Sequence, residues 1–417
     1  MERRNHIRTV GYNFPMASSI LKPWQLQAWW AHRQGLDGSL SKKSPAEVLE
    51  SVGWARSVAG VNPYLTLFSR AGFSRESIDK AVADCEILEL PSARGCTYIV
   101  PASDFALALI CAQGFAEESE MKMARKLGVT DSEIDKLCGE ILGVLKSGPL
   151  DPDGIRKATG DYSRSLGPDG QKKGVSTTLP LSLGQLQVYG RIRRISTNGR
   201  LDQQRYQYTL WPNNPLARCK WTKEEAYTEL ARRYFRWIGP ATLSEFQWFS
   251  GLGVKAANAA LDPLGLIAVD ETRLLPPEQL DKLQSFKPGK KLEFKLVASM
   301  DSMVLLRRKH SDLLAEADTH RKILGDKGLA ILTTLADLPS HAIFNNHGRL
   351  TGFWEYDKET EQIAWGSFIG KNTELDKAVK GTEAFVRDQL GDARSFSLDS
   401  PKTRGPRIAS VKEISAL

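Results

Sequence analysis

The stretch NPYLTLFSRAGFSRESIDKAVADCEILELPSARGCTYIVP, residues 62–101, decides the predicted fold. Asn62 is a favourable helix N-cap and Pro63 suits a first helical turn, so a helix is predicted to begin here. Two short apolar runs follow, EILELP and CTYIVP, and the segment SARG between them predicts a β-hairpin with Arg94 near its tip. Helices followed by a short hairpin are the element order of a winged helix.

Two further helices are predicted ahead of this stretch. One begins after Lys22, with Pro23 at its first position in KPWQLQAWWAHRQGL, and the other begins at Ser44, which has capping-box spacing to Glu47. Ahead of both, the first 19 residues are basic and nearly free of acids. They are expected to form a disordered tail, because a targeting peptide would carry a longer apolar or amphipathic segment.

The order of helices and hairpin recurs along the chain. The segments GPLDPDGIRKATG (148–160) and GPATLSEFQWFSG (239–251) share their length, an opening Gly-Pro, a closing Gly and an apolar eighth residue, Ile155 or Phe246. Each is interpreted as the second helix of a helix-turn-helix. Between them, two strands joined at Asn198-Gly199 predict a tight hairpin, and Thr222 with Glu225 predicts the capped start of a third copy.

Beyond Pro276 the pattern changes to strands. HAIFNNHGRLTGFWEYDKETEQIAWGSFIG (341–370) predicts three strands with turns at His347-Gly348 and Asp357-Lys358, and a late helix and a loosely held polar tail follow. The predicted fold is therefore α+β, with three tandem winged helix-turn-helix units followed by a C-terminal β-barrel-like domain. The predicted boundaries are a tail at 1–19, winged-helix units at 20–125, 126–215 and 216–276, and a β-rich domain at 277–417.

Composition points to an anionic partner. The 417-residue chain has a formal net charge of +8 and a pI of about 9.1, which favours nucleic acid first and an acidic membrane surface second. No apolar run approaches the ~18–20 residues of a membrane span. The five cysteines form no CxxC pair, which is typical of a reduced, cytoplasmic protein. His310 and His320, near Glu316 and Asp318, are interpreted as a solvated face, and neither a metal nor a cofactor is expected.

Positive charge gathers in the second hairpin. Five arginines fall within 15 residues there, with Asp202 as the only acid among them: Arg191, Arg193, Arg194, Arg200 and Arg205. Alternation along a strand places Arg191 and Arg193 on one face. With Tyr206 and Tyr208 beside it, such a wing is expected to contact phosphates or a minor groove, rather than being only a solvated surface. Lys255 and the pair Arg232–Arg233 would extend this surface.

Taken together, these pieces resemble one family, the bacterial winged-helix DNA glycosylases that remove alkylated bases and unhook DNA interstrand crosslinks. The resemblance is carried by NPYLTLFSRAG, SARGCTYIVPASDFAL, EEAYTELARRYFRWIGPATLSEFQWFSGL and HGRLTGFWE, in this order, and covers about residues 20–370. It implies three tandem winged helices and a C-terminal β-barrel wrapped around duplex DNA. It also implies a monofunctional hydrolase that cleaves the N-glycosidic bond of an N7-alkylguanine-type or crosslinked base.

The family carries a short catalytic motif just ahead of the segment that matches NPYL: Gln, an apolar residue, then Gln or Asp. These groups would position water at the sugar C1′ carbon and stabilise the oxocarbenium-like transition state. Counted back from Pro63, the motif positions fall on Val52, Gly53 and Trp54, and residues 51–61 contain no Gln, Asp or Glu. Gln25-Leu26-Gln27 has the motif's letters some 27 residues earlier, where a helical turn would point the two amides about 200° apart.

Residues near the motif positions are candidates for its role. Glu50 could reach the same pocket as a displaced catalytic carboxylate, although an exposed helix glutamate is the simpler interpretation. Arg56 and Arg94 are candidates for DNA contacts, Arg56 at a phosphate flanking an extruded base. Trp54 would either wedge into the base stack or fill the core, and the core is favoured because tryptophans are mostly buried.

Two functions are consistent with these residues. The protein is either a DNA glycosylase with a relocated carboxylate or another water-positioning group, or a catalytically silent DNA-binding or regulatory protein on the same scaffold. Both predict a cytoplasmic monomer, associated with the nucleoid if bacterial, that binds double-stranded DNA with steep salt dependence. An enzyme acting on a small molecule is disfavoured, because the sequence has no Gly-rich phosphate loop, metal cluster or nucleophile elbow.

Overall fold

The computed structural model describes residues 6–9, 12–15, 21–57, 60–118, 120–203, 205–325 and 327–414. These residues form a mixed α+β fold, as the sequence predicts. The strands are β1 His6–Thr9, β2 Tyr12–Pro15, β3 Ala55–Arg56, β4 Ile87–Pro91, β5 Thr97–Pro101, β6 Ile192–Ser196, β7 Tyr206–Leu210, β8 Ala241–Thr242, β9 Ile267–Ala268, β10 Arg273–Leu275, β11 Phe294–Val297, β12 Lys322–Gly325, β13 Gly328–Ile331, β14 His341–Asn345, β15 Leu350–Asp357 and β16 Gln362–Ser367. The α-helices are α1 Pro23–Arg33, α2 Pro45–Val52, α3 Asn62–Ala71, α4 Arg75–Ala83, α5 Phe105–Glu118, α6 Glu120–Lys126, α7 Asp131–Val144, α8 Pro152–Thr159, α9 Gly167–Lys172, α10 Leu179–Val188, α11 Lys223–Ile238, α12 Leu243–Ser250, α13 Val254–Leu261, α14 Leu280–Ser285, α15 Ser302–Leu305, α16 Thr373–Phe385 and α17 Pro401–Glu413.

The chain divides into two compact units. One is a single segment, Ile87–Tyr227, which we call the inserted unit. The other combines residues 1–86 and 228–417 and is called the split unit. The predicted division into three winged-helix units and a β-rich domain is finer than this and stays a prediction. Most of the predicted disordered tail, residues 1–19, lies outside the described residues, apart from the antiparallel pair β1–β2.

Local capping signals set where several helices of the split unit begin. The capping box of Ser44 and Glu47 forms as predicted at the start of α2, and Pro23 occupies the first position of α1. Asn62 does not cap α3, contrary to the expectation. The N-cap of α3 is Val61, and the Asn62 amide instead donates to the carbonyl oxygens of Arg56 (2.5 Å) and Met300 (3.3 Å). A tertiary contact therefore replaces the predicted local one.

The core of the split unit joins its first helix to its C-terminal sheet. Trp29 and Trp30 of α1 lie in one apolar cluster with Phe344 and Phe353 from β14 and β15. Both indoles also have hydrogen-bond acceptors, because Trp29 Nε1 donates to Gly239 O (2.8 Å) and Trp30 Nε1 donates to the next carbonyl (3.2 Å). Segments far apart in the chain are thus held together by buried tryptophans with satisfied N–H groups.

The C-terminal strands form an open sheet. The three strands predicted in 341–370 are β14, β15 and β16, and they pair antiparallel with β11 in the order β11-β14-β15-β16. The β-barrel part of the prediction is wrong for the described residues, because these strands do not close on themselves. β12 pairs with β13 as a separate hairpin instead of completing a ring.

The tail expected to be loose is helical up to residue 414. Ser400 caps α17, and its hydroxyl accepts from Thr403 N. Val411 is buried in the core of the split unit, and the Arg404 guanidinium bonds to Asp392. Polar composition alone predicted disorder here, whereas a few widely spaced apolar residues are enough to attach the helix to the sheet.

The described residues of the inserted unit form two hairpins, the helices α5 to α10 and the first turn of α11, around an apolar core of their own. The predicted hairpin at SARG is formed by β4 and β5, with Arg94 in the tip. The second hairpin, β6–β7, is longer than predicted. Asn198-Gly199 makes a turn, with Gly199 N donating to Ser196 O, but the strands resume only at Tyr206. The prediction of a tight hairpin joined at Asn198-Gly199 is therefore wrong.

The two Gly-Pro segments each contain an eight-residue helix, α8 in the inserted unit and α12 in the split unit. Their eighth residues, Ile155 and Phe246, are fully buried, as an anchoring role requires. A tandem winged-helix arrangement stays a prediction.

Candidate nucleic-acid interface

The positions assigned to the catalytic motif lie in the core of the split unit. Val52 ends α2 and is fully buried, and Trp54 is 2% exposed. The Trp54 ring packs edge-on against Trp237, with centroids 5.5 Å apart, and it also contacts Phe249 at 6.3 Å. The prediction that Trp54 fills the core is confirmed, and neither side chain is placed to contact a sugar.

Gly53, the middle motif position, is required by the packing. It has a φ of +98°, and a Cβ atom there would lie 3.0 Å from the Trp237 ring and 3.3 Å from Leu306. Any side chain at this position would therefore be strained and crowded, including the apolar residue that the resemblance implies for the motif. The departure from the motif is thus built into the backbone as well as into the side chains.

The Gln34 side-chain amide and the Trp237 indole hold the backbone at the end of α2. The Gln34 amide donates to Val52 O (2.8 Å) and to Trp237 O (3.1 Å). Trp237 Nε1 donates to Glu50 O (2.9 Å). The end of α2 is therefore connected to α11 and to the residue that follows α1, which is a seam between packed helices.

Glu50 lies at the surface, as the simpler interpretation predicts. It lines a cleft of about 310 Å³ in the split unit. Four basic side chains line the same cleft: His32, Arg33, Arg233 and Arg236. The pKa of the Arg33 guanidinium is lowered mainly by burial, and to a smaller extent by the positive charge of Arg236. Glu50 therefore shares a cleft with several basic side chains.

Arg56 follows Trp54 in the short strand β3 and is half-buried. Its carbonyl oxygen accepts the Asn62 amide, so its backbone is held by α3. The role of its guanidinium, at a phosphate beside an extruded base, stays a prediction.

Gln25 and Gln27 do not converge, as their helical spacing predicts. The Gln25 amide donates to Leu283 O (3.1 Å) and to the following carbonyl (3.2 Å). The Gln27 amide donates to Asp312 O and Leu314 O, both at 3.0 Å. Each glutamine is tied to a different segment, so the pair cannot act together on one sugar.

Arginines of the inserted unit line a larger cleft, which we call the arginine cleft. Its volume is about 640 Å³, and Arg94, Arg156 and Arg194 line it together with Tyr206 and Tyr208. Arg94 is exposed at the tip of the first hairpin, with a φ of +58°. Arg156 lies on α8 and is exposed, with an ion pair to Asp153 at 3.0 Å. Three separate elements thus present guanidinium groups to one depression, and Asp153, the partner of Arg156, lines it as well.

Arg194 is held by the aromatic residues of its own hairpin. Its guanidinium lies 4.3 Å from the Tyr206 ring centroid and 5.9 Å from that of Tyr208, its partner across the strands. Burial alone would lower the pKa of this guanidinium, but the phenols and the Glu89 carboxylate raise it above its usual value. The side chain therefore stays charged at the cleft wall.

The remaining arginines of the second hairpin are not part of one surface. Alternation along β6 places Arg191 and Arg193 on the opposite face from Arg194, and Arg193 stacks on Trp211 with its centre 5.7 Å from the ring. Arg200 forms an ion pair with Asp202. Arg205 immediately precedes β7, is exposed and does not line the arginine cleft. The five arginines predicted as one wing surface therefore contribute only Arg194 to the arginine cleft.

The residues predicted to extend this surface are Arg232, Arg233 and Lys255. Arg232 and Arg233 both bond to Glu229 on the same helix, so part of their charge is neutralised. Lys255 is exposed on α13 in the split unit.

No described helix has the length and apolar character needed to cross a membrane.

Comparison with known proteins identifies the family. A family model described as DNA glycosylase AlkZ-like matches residues 58–364, well over half of the chain. The chain belongs to the AlkZ-like DNA glycosylase family. Membership carries a DNA-repair, glycosylase-like functional class with DNA as the implied partner, and it confirms the resemblance seen in the sequence.

The fold of this AlkZ-like chain is similar to that of Streptomyces sahachiroi DNA glycosylase AlkZ. The TM-score is 0.63 over 90% of this chain and 98% of that chain, at 19% sequence identity. Among curated proteins, none matches. The family match begins at residue 58, after Val52–Trp54, so it does not extend over the motif positions.

Sequence reasoning missed Arg156 in this AlkZ-like chain. The signal was available, because the residue lies next to Ile155, the anchoring position of the first Gly-Pro segment, and a helix that buries Ile155 exposes its neighbour. What the sequence lacked was the proximity of α8 to the two hairpins, which depends on tertiary packing.

Proposed function

We propose that this AlkZ-like protein binds double-stranded DNA through the arginine cleft of the inserted unit. The observation that carries the proposal is that Arg94, Arg156 and Arg194 meet in one depression from a hairpin tip, a helix and a second hairpin. Guanidinium groups bind phosphate oxygens in a bidentate manner, and a hairpin tip that carries an arginine suits a minor groove or the backbone. The net charge of +8 supports an anionic partner of this kind.

The proposal extends to DNA that carries a damaged base, an N7-alkylguanine or a crosslink, because the family is one of DNA glycosylases. Binding alone requires no group at Val52 or Trp54, which are buried in this protein. The protein would locate a lesion through the phosphate backbone, and such contacts position a protein without reading sequence.

Removing Arg94 and Arg156 together is expected to weaken duplex binding by about 10–100-fold and to lower the slope of log affinity against log salt by roughly two. Both side chains are exposed, so the double alanine variant keeps the fold. Fluorescence anisotropy with a labelled duplex between about 50 and 200 mM salt measures both quantities.

Arg125→Ala is the matched control for that experiment. Arg125 is an exposed arginine of the same unit, it forms an ion pair with Asp131, and it does not line the cleft. Its variant should bind like the wild type. Equal affinity and equal salt slope in the double variant and the wild type would reject the arginine cleft as the duplex-binding surface.

Base excision by Glu50 is the second candidate function. The observation that favours it is the polar cleft in which Glu50 lies beside Arg33 and Arg236, since a carboxylate next to a phosphate-binding group could orient water at a sugar. Hydrolysis would break the bond between C1′ and N9 of the base, which is cationic in the nucleotide and leaves as a neutral base with the bonding electron pair. Water would supply the hydroxyl at C1′, and its proton would pass to the Glu50 carboxylate.

If Glu50 carries this chemistry, Glu50→Gln should slow the release of N7-alkylguanine by about 100-fold or more, because a general base contributes that much, while duplex affinity is unchanged. Alkali-induced strand breaks at the abasic sites measure the rate. Glu47→Gln is the control, since glutamine can also complete the capping box of α2. Wild-type protein that binds the duplex but produces no breaks would leave a catalytically silent DNA-binding protein.

A further inference from the structure

A second cleft of the split unit, distinct from the one at Glu50, has a composition suited to a nucleotide. Its volume is about 430 Å³, within the range of about 300–1,000 Å³ typical of small-molecule sites. We call it the Trp24 cleft. Six of its lining residues carry the argument: Trp24, Gln27, Asn345, His347, Arg349 and Asn372.

Trp24 supplies an exposed aromatic ring at the cleft. It is the second residue of α1, and half of its surface is accessible, although the two tryptophans later in this helix are buried. Ile369, which lines the same cleft, is also 39% exposed. Large apolar side chains exposed side by side mark binding sites, and an indole ring is a stacking surface for any nucleobase.

Arg349 supplies a cation that has no carboxylate partner among the described residues. Its guanidinium is half-buried and forms no ion pair or hydrogen bond with the described residues. Within the described part of the chain, no Asp or Glu lines the Trp24 cleft. Other arginines of the split unit, such as Arg308 and Arg321, have carboxylate partners. A half-buried arginine without a counter-ion is suited to a phosphate.

The amides around the cleft are oriented by the backbone. Because the Gln27 amide nitrogen donates to two carbonyls, its Oε1 is left as an acceptor. Asn345 Oδ1 accepts from the backbone N–H groups of His347 (3.1 Å) and Arg349 (3.0 Å), which leaves its Nδ2 as a donor. Asn372 is the N-cap of α16. Its Oδ1 accepts from Glu374 N (2.9 Å) and Leu375 N (3.2 Å), so its Nδ2 is also left as a donor. The cleft thus offers one acceptor and two donors of defined identity to the edge of a base.

A close backbone contact builds this arrangement. Gly348, between His347 and Arg349, has a φ of +76°, and a Cβ atom there would lie 1.9 Å from Gln27 O. Only glycine allows the β14–β15 turn to approach α1 this closely. The turn therefore brings Arg349 to the same cleft as Gln27 and Trp24.

We propose that the Trp24 cleft binds one unpaired nucleotide of DNA, with the base stacked on Trp24 and a phosphate on Arg349. The combination of a stacking ring, a cation and oriented amides fits a base with its phosphate better than a peptide or a lipid headgroup, which need no exposed ring beside amide donors. This inference rests on the proposed function for its partner, DNA, and adds the substrate feature that is recognised.

The test compares a duplex that contains one unpaired adenosine with the fully paired duplex, by fluorescence anisotropy. Wild-type protein should prefer the first by about tenfold, as expected for one stacked base. Trp24→Ala and Arg349→Gln should each remove most of that preference and leave affinity for the paired duplex unchanged, whereas Trp24→Phe should retain it. Arg387→Gln is the control, since Arg387 is an exposed arginine of the same unit, paired with Asp388.

Several outcomes would overturn the inference. Equal affinity of the wild type for the two duplexes is one, and a preference that survives in both Trp24→Ala and Arg349→Gln is another. Deoxyadenosine monophosphate that binds the protein in a Trp24-dependent way, without any preference for the unpaired duplex, would assign the cleft to free nucleotides instead. Failure of the proposed function is seen separately, as paired-duplex binding that is insensitive to the Arg94 and Arg156 substitutions.

Discussion

Trp54→Ala is expected to destabilise the split unit by about 3–5 kcal/mol, the cost of removing a fully buried large aromatic side chain. Trp54 is 2% exposed and packs against the rings of Trp237 and Phe249. The surrounding wall cannot collapse easily, because the Gln34 amide holds the backbone at Val52 and the Trp237 indole is held by its hydrogen bond to Glu50 O. A large cavity would therefore persist in the variant.

Urea denaturation followed by circular dichroism measures this loss. Trp24→Ala removes the same side chain from an exposed position of the same unit and should change the free energy of unfolding by no more than about 0.5 kcal/mol. Below its melting temperature, Trp54→Ala should still bind paired duplex like the wild type. A stable Trp54→Ala variant with lost DNA affinity would instead mean that Trp54 acts as a wedge in the base stack.

Arg70→Ala is expected to cost about 3–5 kcal/mol, because it leaves the Asp301 carboxylate buried without its counter-ion. The two side chains are completely buried and form a bidentate pair, with Nη2–Oδ1 at 2.7 Å and Nη1–Oδ2 at 2.8 Å. Asp301 also accepts from Met303 N (2.9 Å) as the N-cap of α15. The pair thus connects α3 to the segment that follows β11.

Lys80→Ala is the control for a surface ion pair. Lys80 and Asp84 are 73% and 45% exposed, so the loss of this pair should leave the urea midpoint of unfolding nearly unchanged. Replacing both Arg70 and Asp301 by apolar residues of similar volume should recover much of the stability lost in Arg70→Ala, because no buried charge is then left alone. An Arg70→Ala variant as stable as Lys80→Ala would show that water reaches Asp301.

Predictions that depended on local chemistry were mostly correct. The Ser44–Glu47 capping box, the strands of 341–370 and the position of Arg94 at a hairpin tip each follow from a few adjacent residues. Asn62 shows why such rules fail elsewhere. Its side chain could cap a helix, but in the folded protein its amide donates to the carbonyl oxygens of Arg56 and Met300 instead.

Charge patterns were less informative than structural patterns. The sequence shows that arginines are concentrated at 191–205, but it does not show that Arg200 is bound to Asp202 or that Arg193 faces Trp211. Arg156, which lies outside that cluster in the sequence, lines the arginine cleft with Arg94 and Arg194. A count of charges cannot separate paired cations from those that face a cleft, because partner choice depends on distances in space.

The sequence by itself determined the family, the mixed α+β class and the starts of several helices, since each of these depends on residues close together in the chain or on their order. The tertiary structure alone decided which polar groups meet. The Gln27 amide donates to the carbonyl oxygens of residues that lie 285 and 287 positions further along the chain. The backbone of Gly348 approaches the backbone carbonyl of the same glutamine. Likewise, only packing shows that Val52 and Trp54 face the core while Glu50 faces a cleft. Periodicity and capping are local properties of a chain, whereas a binding site is formed by side chains that packing brings together.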